Sequence, residues 1–142
     1  MKSKFSTKWL SSKQPRKQRK FLANAPLHIK HKFLSVHLSK ELRKKYGKRN
    51  LPLRKGDEVL VMRGSSKNKK AKVASIILKK SLATLEGIQR AKKDGTKVNI
   101  YFHPSKLQII SLNLEDKERI AISERKEHKE IKNAPNKTGS NN

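Results

Sequence analysis

Apolar residues change their spacing along the chain, and that change divides it into segments. From Lys13 to Ala23 charged and apolar residues mix without a strand-like alternation, which predicts a helix that Pro26 ends. A second short helix is predicted over Ser39–Tyr46. Ser39 supplies an N-cap, Leu38 and Leu42 lie one turn apart, and Gly47 follows as a C-cap. The period then shortens. Asp57–Met62 is rich in strand formers and runs into the Arg63-Gly64 turn, and Ala71–Leu78 is a second strand with Val73, Ser75 and Ile77 on one face. A third strand, Leu82–Leu85, is expected to stop at Glu86-Gly87. Asp94-Gly95 turns the chain into Val98–Phe102, Pro104 breaks that run, and Lys106–Ile110 is the fifth. Five short strands in this span close into one small barrel, with Val59, Val61, Val73, Ile77, Leu85 and Leu107 as core. Glu115–Glu130 returns to helical spacing, with Glu115 and Arg119 as an i, i+4 pair, and Pro, Asn, Gly and Ser from Asn133 onward predict a disordered tail. The expected organisation is an arm over 1–50, a barrel over 51–113, and a charged helix with a tail over 114–142.

Charge gives these segments different tasks. Lys and Arg number 37 against 11 acids in 142 residues, a formal net charge of +26, with 33% hydrophobic residues. Such an excess opposes compaction unless a polyanion neutralises it. The excess is uneven: residues 1–55 carry 18 Lys and Arg against Glu41 alone, whereas 114–142 are nearly balanced. The arm therefore reads as a polycation. Its densest cluster, Arg16-Lys17-Gln18-Arg19-Lys20, spreads charge over much of a helix, which suits burial among phosphates better than water. Phe5, Trp9, Phe21, Leu22, Phe33 and Leu34 are interleaved with the cations and suit stacking on unpaired bases or anchoring on a partner protein. Such an arm is expected to fold on RNA, the alternative being a solvated tail. Removing residues 1–36 should then weaken RNA binding and leave the barrel folded.

Other chemistries find little support. No apolar run approaches the ~20 residues of a spanning helix, the start of the chain lacks a secretory apolar stretch, and without cysteine there is no disulfide or thiolate metal site. A cytoplasmic protein is expected. His28 and His31 sit amid cations that repel a metal ion, Ser11-Ser12 and Ser65-Ser66 lack a base and acid, and no glycine-rich nucleotide loop occurs. No cofactor, small-molecule substrate or catalysis is expected. Asp57 and Glu58 read as solvated or ion-paired.

Residues 56–73, Gly-Asp-Glu-Val-Leu-Val-Met-Arg-Gly-Ser-Ser-Lys-Asn-Lys-Lys-Ala-Lys-Val, resemble a KOW motif: strand, glycine turn, basic loop and second strand of an SH3-like barrel. Asn24-Ala25-Pro26-Leu27-His28, Leu38–Gly47, Leu51–Asp57 and Phe102–Leu107 resemble the universal large-subunit ribosomal protein 24 family, and the likeness runs from about Ser11 to Arg125. The arm is similar to the archaeal and eukaryotic branch, and the compact loop at 66–72 to its archaeal side. Asn68 and Ala71 stand where the motif usually has glycine. Asn tolerates a left-handed backbone, whereas Ala71 there would cost about 1 kcal/mol or more.

The resemblance implies a non-enzymatic protein that binds large-subunit rRNA, acts early in subunit assembly beside neighbouring large-subunit proteins, and lies near the exit of the nascent-chain tunnel. The candidate RNA contacts are Arg16, Lys17, Arg19, Lys20, His28, Lys30, Lys32, Arg43 and Lys44 in the arm, and Arg54 and Lys55 at the start of the barrel segment. Arg63, Gly64, Lys67, Lys69 and Lys72 belong to the motif loop, with Arg90, Lys92, Lys93 and His103 beyond it. Two other functions compete. A KOW-type transcription or translation regulator would bind RNA transiently and normally carries a companion domain. A packaging protein for duplex DNA would need no barrel.

Overall fold

The computed structural model describes residues 5–6 and 12–124. Trp9, the far half of the Glu115–Glu130 helix and the tail from Asn133 lie outside the described residues. Two helices come first, α1 (Pro15–Asn24) and α2 (Leu27–Phe33). Pro15 occupies the first turn of α1, where a missing N–H costs nothing, and Pro26 separates the two helices. A short strand β1 (Ser35–Leu38), helix α3 (Lys40–Tyr46) and strand β2 (Asn50–Pro52) follow. The Ser39 hydroxyl accepts from Leu42 N at 3.3 Å, and Gly47 closes α3 at φ +57, as the capping residues predict.

Five further strands, β3 (Glu58–Val61), β4 (Lys70–Ile77), β5 (Leu82–Ala91), β6 (Lys97–Phe102) and β7 (Leu107–Ser111), form a meander that returns upon itself. A 3-10 turn at Pro104–Lys106 carries β6 into β7. The sheet order is β2-β1-β7-β3-β4-β5-β6. All seven strands feed one core, so the sheet curls around it. Val36, Leu38, Leu51, Val59, Val61, Val73, Leu85, Phe102, Leu107 and Ile109 are all buried together. This is the small SH3-like barrel, mainly β.

The sheet has two strands more than the alternation predicts, and both precede residue 53. β1 runs parallel to β7, pairing Leu38 with Ile109, and antiparallel to β2, pairing Val36 with Leu51. Leu34 and Val36 are at most 1% exposed, so a deletion of residues 1–36 removes part of the core as well as the arm.

Two bulges alter the expected strands. The register of β4 against β5 shifts between Val73 and Ser75. Beyond it Ile76 packs against the core, Ile77 is half-buried rather than core, and the Ser75 hydroxyl bonds buried Thr84 at 2.7 Å. β5 does not stop at Glu86-Gly87. It bends there, with Gly87 at φ +72 and a register shift before Gln89, and continues to Ala91. Bulges of this kind increase twist and let a strand turn a barrel corner.

The first strand of the barrel, its last strand and the C-terminal helix α4 (Lys117–Glu124) meet at one buried ion pair. Arg119 donates to both oxygens of Asp57, at 2.6 and 2.7 Å, and to the carbonyls of Asn113 (2.9 Å) and Pro52 (3.3 Å). Asp57 also accepts from Arg54 N (2.8 Å) and Asn113 N (3.0 Å) and is 0% exposed; Arg119 is 4% exposed. The expected Glu115–Arg119 helical pair does not form, because the helix begins at Lys117. Glu115 accepts from Asn113 Nδ2 instead. Gly56, just before Asp57, has φ +86, a region that favours glycine, and a Cβ there would lie 2.9 Å from the Asn113 side-chain amide.

Breaking such a pair leaves one uncompensated buried charge, at roughly 3–5 kcal/mol. Arg119→Met is expected to lower the urea unfolding free energy by about 3 kcal/mol or more, and Asp57→Asn alike. The double variant should lose less than the sum of the two. A loss under about 1 kcal/mol for either single variant contradicts this role.

Candidate nucleic-acid interface

The arm presents its cations as a helix. At about 100° per residue, Arg16, Lys17, Arg19 and Lys20 cover roughly half the circumference of α1, and all four are exposed. There is no acid in the first turn and no buried residue. The opposite half carries Phe21, whose ring centroid lies 4.9 Å from Phe5 and 6.0 Å from Phe33 of α2. This tilted aromatic stack holds α1 against α2 and leaves the cationic half outward. Two of the interleaved aromatics, Phe21 and Phe33, thus pack on one another across the arm.

On α2, His28 and Lys32 are exposed and Lys30 is half-buried. Lys30 Nζ donates to the carbonyls of Lys79 (3.2 Å) and Ala23 (3.4 Å), tying both helices to the turn between β4 and β5. That turn, Leu78–Lys80, ends at Ser81 with φ +53. Lys79 and Lys80 are exposed and join Lys30 and His103 around one cleft of about 320 Å3. These two lysines are missing from the sequence-derived candidates. The Lys-Lys-Ser step between two strand-like runs was their only signal.

The KOW-like loop is a tight, ordered hairpin. Gly64 has φ +103 and Asn68 φ +66, so asparagine takes the left-handed position where glycine is usual. Asn68 N donates to Val61 O at 2.8 Å. Ala71 lies within β4 with no positive φ, and the strain considered for it does not arise. Lys67, Lys69 and Lys72 are exposed around this turn. Arg63 reaches across to the Ser105 carbonyl (2.8 Å), and His103 Nδ1 accepts from Ser105 N (3.3 Å) and shares a hydrogen bond with its hydroxyl (2.9 Å). Arg63 and His103 thus converge on the 3-10 turn, where His103 acts as an N-cap.

Other candidates serve the fold as well. Arg43 Nε donates to the Leu38 carbonyl at 2.9 Å, and Lys44 is exposed beside it on α3. Arg54 forms an ion pair with Asp116 at the mouth of a mixed-charge crevice of about 340 Å3, which Lys55 and Glu115 also line. Among the described residues no three His, Asp or Glu side chains gather as metal ligands.

Beyond Ile88 the β5–β6 hairpin has no buried residue until Phe102, and Arg90, Lys92 and Lys93 are exposed along it. Arg90 pairs with Val98 within the ladder. At the tip Asp94 Oδ1 accepts from the Thr96 hydroxyl (2.6 Å) and Thr96 N (3.0 Å). These bonds, the hydroxyl first, hold the Asp94 carboxyl below its ordinary value of 3.8. A depressed carboxylate contributes to stability above its ordinary pKa and loses that contribution as pH falls through the depressed one. Thr96→Val is expected to raise the Asp94 midpoint toward 3.8, read by carboxyl NMR titration. An unchanged midpoint contradicts the hydroxyl's role.

Comparison with known proteins shows the family of the chain. A family model that describes the ribosomal proteins L26 of eukaryotes and their protein 24 counterparts of archaea matches residues 12–137, from before α1 to beyond α4. The large ribosomal subunit protein uL24 of Korarchaeum cryptofilum (strain OPF8) is 45% identical over 117 residues, covering 82% of this chain and 89% of that protein. The protein of the same name from Methanothrix thermoacetophila is 46% identical over 114 residues, covering 80% and 98%. The SH3-like barrel, the α1–α2 arm packed on it and the α4 helix locked to Asp57 all fall within the matched span, and the chain belongs to this family of eukaryotic L26 and archaeal protein 24 ribosomal proteins.

Proposed function

We propose that this ribosomal protein, which is not an enzyme, is a cytoplasmic constituent of the large ribosomal subunit that binds large-subunit rRNA through its arm and the basic turns of its barrel. The observation that carries this reading is α1. A helix with four exposed cations, no acid in its first turn and no buried residue gains little from water and much from a polyanion. The names of its relatives, large ribosomal subunit proteins, supply the setting. Family resemblance extends the proposal to early subunit assembly, contact with neighbouring subunit proteins and a place near the exit of the polypeptide tunnel.

The mechanism is electrostatic first. Each cation that meets a phosphate releases counterions, so about ten contacts give a steep fall of affinity with salt, with a log–log slope of about −7 to −9. The proposed phosphate contacts are Arg16, Lys17, Arg19, Lys20 and Lys32 on the arm, Lys67, Lys69 and Lys72 on the loop, and Arg90, Lys92 and Lys93 on the hairpin. Arg43, Arg54 and Arg63 each hold a protein partner as well, so their proposed role includes fixing the backbone that presents the other cations. Specificity then follows from RNA shape rather than base-edge readout, as the fixed spacing of arm, loop and hairpin matches one arrangement of RNA helices.

Replacing Arg16, Lys17, Arg19 and Lys20 together with Gln tests this on the full chain and large-subunit rRNA. The slope is expected to shrink by about 3 and the affinity at 0.1 M salt to fall at least about tenfold. The unfolding midpoint should stay unchanged, because all four side chains are exposed. Unchanged affinity and slope overturn the reading.

A further inference from the structure

The cleft between the arm and the barrel differs from the other basic surfaces because it is concave and partly apolar. Its walls are Leu22 and Ala23 from α1, Lys30 and Phe33 from α2, Lys79, Lys80 and Ser81 from the β4–β5 turn, and His103. Three lysines and one histidine therefore face a space lined by a leucine and a phenylalanine, with no acid among the residues around it. Leu22 stays 52% exposed, an apolar side chain left uncovered beside cations. Phosphate binding along a duplex needs neither the concavity nor the apolar wall.

We propose that this cleft takes one unpaired nucleotide extruded from the bound RNA. Its base would lie between Leu22 and Phe33, and its phosphates would meet Lys79, Lys80 and His103. The proposal rests on the RNA-binding reading and adds a site to it. Volume supports a single guest: about 320 Å3 stands at the small end of ligand pockets and excludes a stacked pair of helical strands. Chemistry supports a nucleotide. An aromatic face beside cations is the arrangement by which single-stranded RNA is held without sequence preference.

A second observation comes from the backbone. Ser81 adopts φ +53, a region that non-glycine residues rarely occupy, and its N–H bonds Leu78 O at 3.2 Å. That conformation closes the turn that carries Lys79 and Lys80. Lys30 locks the same turn to α1 and α2 through the Lys79 and Ala23 carbonyls. The walls from α1, α2 and the β4–β5 turn are thus tied to one another before any ligand arrives.

The test uses the full chain and two RNA stems of identical sequence, one fully paired and one carrying a single 2-aminopurine bulge. The wild type is expected to bind the bulged stem at least about fivefold more tightly, with a change in 2-aminopurine fluorescence as the base leaves solvent. Leu22→Ser and Phe33→Leu keep the net charge. Leu22→Ser should remove the preference and the fluorescence change while leaving paired-stem affinity within about twofold. Phe33→Leu, which also loosens the α1–α2 stack, should remove both and is judged on the ratio between the two stems alone, and circular dichroism melts identify any variant that fails to fold. Equal wild-type affinity for the two stems overturns the nucleotide site yet leaves the RNA-binding reading standing. Failure to bind either stem overturns both. Displacement of the bulged base by an acidic, phenylalanine-containing peptide that leaves paired-stem binding intact assigns the cleft to a protein partner and overturns the proposal.

Discussion

The bidentate pair between Asp57 and Arg119 organises the molecule. It joins the start of β3, the exit from β7 at Asn113, the end of β2 at Pro52 and the helix α4, and every oxygen of the carboxylate has at least two donors. A charge excess of this size pushes a small domain apart, and the apolar core is modest. A fully satisfied buried pair supplies specificity where hydrophobic contact is sparse, because either partner alone would be left charged without solvent. Gly56, next to it, adopts φ +86, a conformation that favours glycine.

This closure determines how the basic surfaces are displayed. With the strand ends tied together, the barrel projects its connections outward: the Gly64–Asn68 hairpin, the Lys79–Lys80 turn and the β5–β6 ribbon each carry lysines on a short, hydrogen-bonded turn. The arm is attached in two ways, by the Lys30 bonds and by β1, which pairs with β7. Its polycationic helix is therefore presented at a defined place on the barrel. Preorganised cations lose less freedom on binding than cations on a loose tail, so the attachment bears on affinity as well as shape.

Much of this was legible in the sequence. The strand formers of Asp57–Met62 and Lys106–Ile110, the Ser39 and Gly47 caps and the glycine turn at Gly64 are local signals, and the structure follows them. What escaped was non-local or irregular. β1 and β2 are four and three residues long, and β1 finds its partner some 70 residues away. The bulges in β4 and β5 reset the alternation, so Ile76 replaced Ile77 on the core face and Gly87 became a bend instead of an end. Helical spacing sets Glu115 at i−4 of Arg119, whereas the partner of Arg119 lies 62 residues away. Among the proposed contacts, the exposed lysines of the arm and loop were readable from charge density alone. Lys79 and Lys80 acquire meaning only when the fold brings Lys30 and His103 beside them.

The central claim, that this chain is held by large-subunit rRNA, is tested most directly by ultraviolet crosslinking of the protein to RNA in its own cells, followed by sequencing of the attached fragments. The account predicts reads concentrated on a few adjoining helices of large-subunit rRNA. Reads scattered over messenger or nascent transcripts would contradict it.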